Sequence, residues 1–134
     1  MNRDDFLDFA SERLDGCFSL LAVKGMEYDR NDDAFHNFYR GGELLDVEPE
    51  IALVGMFNKH LVSLLDIIDD IACEGIFPEV EVLNEKIADA INYLLLLNGL
   101  ILEHKNEQET YDEGGDNRFD SVQGTDGIPI LRVT

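Results

Sequence analysis

From Asp5 to Lys24, Phe6, Phe9, Ala10, Leu14, Cys17, Phe18 and Leu21 recur at steps of three and four. That spacing gathers side chains on one face of an α-helix. It predicts a first helix over 5–24, capped by Asp4 or Asp5 and stopped near Gly25. After an acidic turn, Phe35, Phe38 and Tyr39 predict a shorter helix from about Asp33 to Leu45, weakened in its middle by Gly41 and Gly42. "DVEPE" opens a third helix with Pro49 in its first turn. Leu53, Phe57, His60, Leu64, Ile67, Ile68 and Ile71 form its stripe as far as Cys73, a length of about 37 Å. Gly75 and Pro78 break the pattern, and Asn84 reads as the N-cap of a fourth helix running to about His104.

The fourth helix is apolar nearly all round between Ala90 and Leu97, as befits the centre of a bundle or an oligomer interface. Gly99 inside it suggests a close crossing. Beyond it the chain is polar and Gly-rich without helical period, which predicts a disordered tail over 105–134, with "IPILRV" able to pair as a short strand. The expectation is an all-α, four-helix bundle-like domain over 1–104 followed by that tail.

Charge narrows the partners. Twenty-nine acidic residues against ten basic give a net of −19. Such a surface repels a phosphate backbone, and no Lys/Arg cluster offsets it, so direct nucleic-acid binding is not expected. An anionic membrane is disfavoured for the same reason. The longest apolar stretch, "AINYLLLLNGLIL", has 13 residues and two Asn, too short and too polar to span a bilayer. Cys17 and Cys73 fall inside apolar helical patterns and read as reduced, buried thiols. With the acidic opening "MNRDDFLDF", they point to a cytoplasmic protein.

Two polar rows interrupt this apolar plan. Glu85, Asp89 and Asn92 share one face of the fourth helix. They read either as dipole-favoured acids beside a register-fixing amide, or as a cleft-facing row that binds a hard cation, Mg²⁺ or Mn²⁺. On the third helix Lys59, Ser63, Asp66 and Asp70 run beside the apolar stripe, with His60 on it. A lone His on an apolar face, such as His60, is more often a satisfied core residue than a ligand. The segment "KGMEYDRNDDAFHNF" could bring Glu27, Tyr28, Asp33, His36 and Asn37 to the mouth of those helices, although Asp32 and Asp33 suit helix caps equally. Glycine-rich phosphate loops, CxxC, HExxH and GxSxG are absent from the sequence, and neither Cys has an obvious basic partner for nucleophilic work.

Three segments, "KGMEYDRNDDAFHNFYRGGELL", "KHLVSLLD" and "EKIADAINYLLLLNGLI", resemble a small helical family of phage and prophage genomes, the nucleotide modification associated domain of the first type. The resemblance covers roughly residues 17 to 103 and leaves the tail aside. It implies a nucleotide theme and carries over Glu27, Tyr28, His36, Asn37, Lys59, His60, Ser63, Asp66, Asp89 and Asn92 as site positions. More distantly, the layout is similar to the MazG-like all-α nucleoside triphosphate pyrophosphohydrolases, usually oligomeric, which hold Mg²⁺ between acidic helices. Their EExxE and ExxD patterns are replaced here by HxxSxxDxxxD and by Glu85 with Asp89.

Three readings follow. In a metal-dependent nucleotide pyrophosphohydrolase, Asp66 and Asp89, with Glu85 or Glu27, hold Mg²⁺ or Mn²⁺. His60 or a carboxylate takes a proton from water, Lys59 neutralises phosphate charge, and Asn37 or Asn92 reads sugar or base, with Tyr28, His36 and Ser63 completing the substrate site. In a binding module the same pocket holds a nucleotide or modified nucleotide without turnover. In a structural homo-oligomer the polar rows specify register.

Overall fold

The computed structural model describes residues 1–28 and 32–113, with side chains described for all of these except 26–28, 112 and 113. The architecture is all-α, with four α-helices: α1 (Arg3–Tyr28), α2 (His36–Leu45), α3 (Pro49–Asp69, prolonged by a π-helical turn, Asp70–Glu74) and α4 (Val80–Glu113). α2 packs on α3, α3 on α4, and α1 on α4.

The start of α1 is held by Asn2 rather than Asp4 or Asp5. Asp5 N–H donates to Asn2 Oδ1 at 2.9 Å, and Asn2 N–H donates back to the Asp5 carboxylate at 3.3 Å. This is a reciprocal capping box. Before α2, Phe35 N–H donates to Asp33 Oδ1 at 2.9 Å, so Asp33 spends its carboxylate on a turn.

Gly41 and Gly42 do not interrupt α2. A Cβ at Gly42 would lie 2.6 Å from Val47 O, where the chain reverses into α3 through left-handed Asp46. A Cβ at Gly41 would meet Met56 Cε at 3.0 Å. The pair is the flat surface that lets α2 lie on α3.

α3 begins at Pro49 as predicted, and its last turn widens to π geometry before left-handed Gly75 stops it. By length and composition Pro49–Glu74 could cross a membrane, a test the sequence reading applied only to the shorter stretch in α4. α3 sits between α2 and α4, yet only 17 % of its most apolar window is buried.

α4 starts at Val80, which leaves Asn84 inside the helix and not at its cap. It also runs past His104 to Glu113, so nine residues expected in the tail are helical. Lys105, Glu107, Gln108 and Glu109 among them are good helix formers, and Lys105 Nζ lies 3.4 Å from Glu109 Oε1 as an i,i+4 pair. Residues 114–134, with the expected disorder and the "IPILRV" strand, lie outside the described residues.

Phe38, Leu53 and Leu100 form the buried centre, with Phe35, Tyr39, Met56, Tyr93, Leu96 and Leu97 around it. A Cβ at Gly99 would stand 2.9 Å from Phe35 Cζ, so this glycine makes room for a ring and not for a helix crossing. Cys17 is buried as expected, but Cys73 is exposed on the π turn, and both are free thiols. On α3, Ile51, Val54, Leu61, Leu65 and Ile68 are exposed, and so are Leu94 and Leu95 on α4, the helix expected at a bundle centre or an oligomer interface.

Candidate functional site

The end of α1, the start of α2 and the middles of α3 and α4 enclose a cavity of about 670 Å³. Its apolar wall is Leu21, Phe38, Met56, Tyr93 and Leu96; its polar groups are Lys24, Asn37, Lys59, His60, Asp89 and Asn92. The volume falls within the range of small-molecule sites, about 300–1,000 Å³.

Asp89 is the electrostatic hub. Its side chain is 8 % exposed, yet it makes two charged contacts. Lys24 Nζ donates to Oδ1 at 2.8 Å, and His60 Nδ1 stands 3.3 Å from Oδ2. Burial holds the His60 imidazole below its ordinary pKa, against the pull of Asp89 and with the help of Lys59 and Lys24. The ring is therefore neutral near pH 7. The carboxylate beside Nδ1 favours the tautomer with its proton there, which leaves Nε2 as an acceptor. Tyr93 braces the ring, with centroids 4.9 Å apart, and itself stacks on Phe57 at 5.3 Å.

Asn92, one helical turn beyond Asp89, is 5 % exposed, and neither Oδ1 nor Nδ2 has a hydrogen-bond partner. An unpaired buried amide costs about 1–3 kcal/mol. The bridging of neighbouring backbones that would explain it structurally is absent. Lys59 takes part in none of the ion pairs found among the described residues. With His60 neutral, the charged groups on the described wall of this cavity are two ammonium groups and one carboxylate.

Of the residues the sequence singled out, the fold brings Asn37, Lys59, His60, Asp89 and Asn92 together. Asp66 and Glu85 are exposed and do not line the cavity, nor does half-buried His36. Ser63 Oγ donates to Lys59 O at 3.1 Å, an ordinary back-bond within α3. The side chains of Glu27 and Tyr28 lie outside the described residues. Lys24 was missed. It opens the very segment that drew attention, but the acids after it carried the sequence argument, and only folding shows that it reaches α4.

The described residues of the cavity wall do not by themselves supply the ligands of a resident Mg²⁺ or Mn²⁺; the side chain of Glu27, one of the expected ligands, lies outside the described residues. Such an ion takes several oxygen ligands, whereas the described cavity wall holds one carboxylate, already engaged by Lys24 and His60. Asp66 and Glu85, expected to join Asp89, are exposed and do not belong to the cavity wall. Among the described residues the one set of three such ligand groups within 4.8 Å of one another is Glu48, Glu50 and His104, on the far ends of α3 and α4. There His104 Nδ1 already lies 2.6 Å from Glu50 Oε1.

Comparison with family models, with curated proteins and with solved structures returns no match to this chain.

Proposed function

We propose that the cavity binds a small phosphate-bearing molecule of nucleotide type and holds it without metal-dependent hydrolysis. The observation that carries this reading is the pairing of Lys24 and Lys59 on a cavity with an apolar, partly aromatic wall. Ten basic residues serve a chain of net charge −19, and two of them converge here against the one carboxylate on the described cavity wall. That local excess favours an anion, and Phe38, Met56 and Tyr93 offer an apolar body somewhere to lie. The resemblance to the phage and prophage nucleotide modification associated family supports the same theme. Lys59 offers its ammonium to the phosphate, and Lys24 does so while tethered to Asp89. His60 Nε2 accepts from a ligand hydroxyl or amine.

The test is calorimetric titration of nucleoside monophosphates in EDTA, with Lys59→Met in parallel. The expected result is binding that weakens about tenfold or more in the variant and with rising salt. Unchanged affinity in Lys59→Met, or no binding of any phosphate-bearing probe, would remove the reading.

A second reading, self-association, is favoured by one observation. Ile51, Val54, Leu61, Leu65 and Ile68 keep to one side of α3 and are exposed. A stripe of this kind suits burial against a second copy. Sedimentation of Leu61→Glu/Leu65→Glu should show a smaller species than the parent chain; an unchanged profile would rule out that face.

A further inference from the structure

Resting on the anionic-ligand reading, we propose that Asn92 makes the site selective for a base: the ligand carries a nucleobase whose edge sets a hydrogen-bond donor beside an acceptor, and Asn92 pairs with that edge. Three observations converge on this residue. Asn92 is more than nine-tenths buried, it belongs to the cavity wall, and both of its amide atoms lack partners.

A carboxamide has a donor and an acceptor on one planar group. Its complement is another planar group with the same two functions in reverse order. Nucleobases supply this as a ring N–H beside a carbonyl, or as a ring nitrogen beside an exocyclic amine. A sugar, a polyphosphate or an acyl chain does not.

The surroundings suit a flat ring. Tyr93, the next residue, belongs to the same wall and already stacks with Phe57 at an interplanar angle of 7°. Lys24 and Lys59 supply the charge at the other polar stations of the cavity. Asn92 itself is nearly closed to solvent, so the pairing edge has to reach it as the ring seats. The terminal torsion of an Asn side chain is broad, and the amide can turn to meet either order of donor and acceptor. That freedom leaves the choice among bases to the rest of the wall.

The cost of an unpaired amide sharpens the selection. A ligand that reaches Asn92 and satisfies it gains a pair the free protein lacks. One that fills the same space without polar atoms gains nothing there.

The experiment is a set of titrations in EDTA with the four common nucleoside monophosphates, ribose 5-phosphate, and nucleotides methylated on the pairing edge. They are run against wild type, Asn92→Leu and Asn92→Ala, with the melting temperature of each variant recorded. Wild type should bind at least one nucleotide about tenfold or more tighter than ribose 5-phosphate or its edge-methylated form. In both variants that preference should fall to about twofold or less, with ribose 5-phosphate affinity kept. Asn92→Leu should melt at or above the wild-type temperature, because an unsatisfied amide has been removed. The methylated ligands test the idea on unmodified protein, should either variant fail to fold. Equal binding of ribose 5-phosphate and every nucleotide by wild type, or a preference that survives edge methylation or the variants, overturns the role of Asn92 while leaving the phosphate site standing. Failure of every phosphate-bearing probe to bind wild type overturns both.

Discussion

Lys24 Nζ and Asp89 Oδ1 lie 2.8 Å apart although 65 positions separate them in the chain. The contact joins the last turns of α1 to the middle of α4, and it neutralises a carboxylate that the fold has taken out of water. Replacing Lys24 by Met strands that charge beside a neutral imidazole. A fully buried broken pair costs about 3–5 kcal/mol. Lys24 is 44 % exposed, so screening reduces the expected loss to about 1–2 kcal/mol. Urea denaturation should show it as a lower midpoint, and Lys24→Met/Asp89→Asn should recover part of the difference. A midpoint that does not move in the single variant would mean that the contact contributes nothing to stability.

The pKa values of His60 and His104 are shifted in opposite directions. The hydrogen bond to Glu50 raises the His104 pKa above its ordinary value of about 6.5. Its stabilising effect is complete below that value and is lost as pH rises through the folded pKa. Burial lowers the His60 pKa, so its contribution is present above about 6.5 and is lost as pH falls through its folded value. Melting temperature against pH should therefore decline on both sides of that region. His104→Gln should flatten the upper side and His60→Gln the lower. Swapped effects would show that the assignment is reversed.

Two glycines should respond with opposite sign to the same added methyl. At Gly42 a Cβ meets the Val47 carbonyl oxygen at 2.6 Å, backbone that cannot swing away. Gly42→Ala should cost about 1–3 kcal/mol. At Gly16, in the interior of α1, nothing lies within 4 Å. Gly16→Ala should stabilise by about 0.5–1 kcal/mol through helix propensity alone. Chemical denaturation of both variants reads the two signs directly. A neutral Gly42→Ala would mean that the α2–α3 reversal relaxes more easily than its backbone packing indicates.

Divalent cations provide a third kind of test. The described cavity wall offers a single carboxylate, so Mg²⁺ or Mn²⁺ at millimolar concentration should leave nucleotide affinity and melting temperature unchanged relative to EDTA. A rise in melting temperature that Asp89→Asn abolishes would reinstate a cation at this site, since ligands of the folded state stabilise it by mass action.

Much of the helical plan was legible because its signals are local. The stripe from Leu53 to Ile71 and Pro49 at N1 placed α3 nearly to the residue. α4 was harder at both ends. Asn84 resembles a cap, but the helix has already begun four residues earlier, and the polar run after His104 stays helical through propensity and side-chain pairs rather than burial. The candidate site was half legible. Asn92 and Asp89 were conspicuous as polar groups on an apolar helix, and the fold does bury them. Asp66 and Glu85 share rows with true cavity residues by spacing, yet a turn of helix is wide enough to leave them in solvent. Lys24 is a matter of tertiary geometry, since nothing within α1 says which helix its ammonium will reach. Gly42 reads as a weak point inside α2 because sequence shows a missing side chain and not the carbonyl oxygen that fills its place.

The cavity wall from Leu21 to Gly25 belongs to a helix that packs chiefly on α4. Phe6, Leu14 and Phe18, earlier in that helix, stay exposed. Whatever frees α1 from α4 also removes that part of the cavity wall, so the helix and the wall it supplies come away together. An occupant that touches both α1 and α3 must leave before the helix can lift, and its binding free energy is added to the cost of lifting. Amide hydrogen exchange along α1 thus becomes a gauge of occupancy: slow where the cavity is filled, fast where it is empty, with the exchange of α3 as an internal clock.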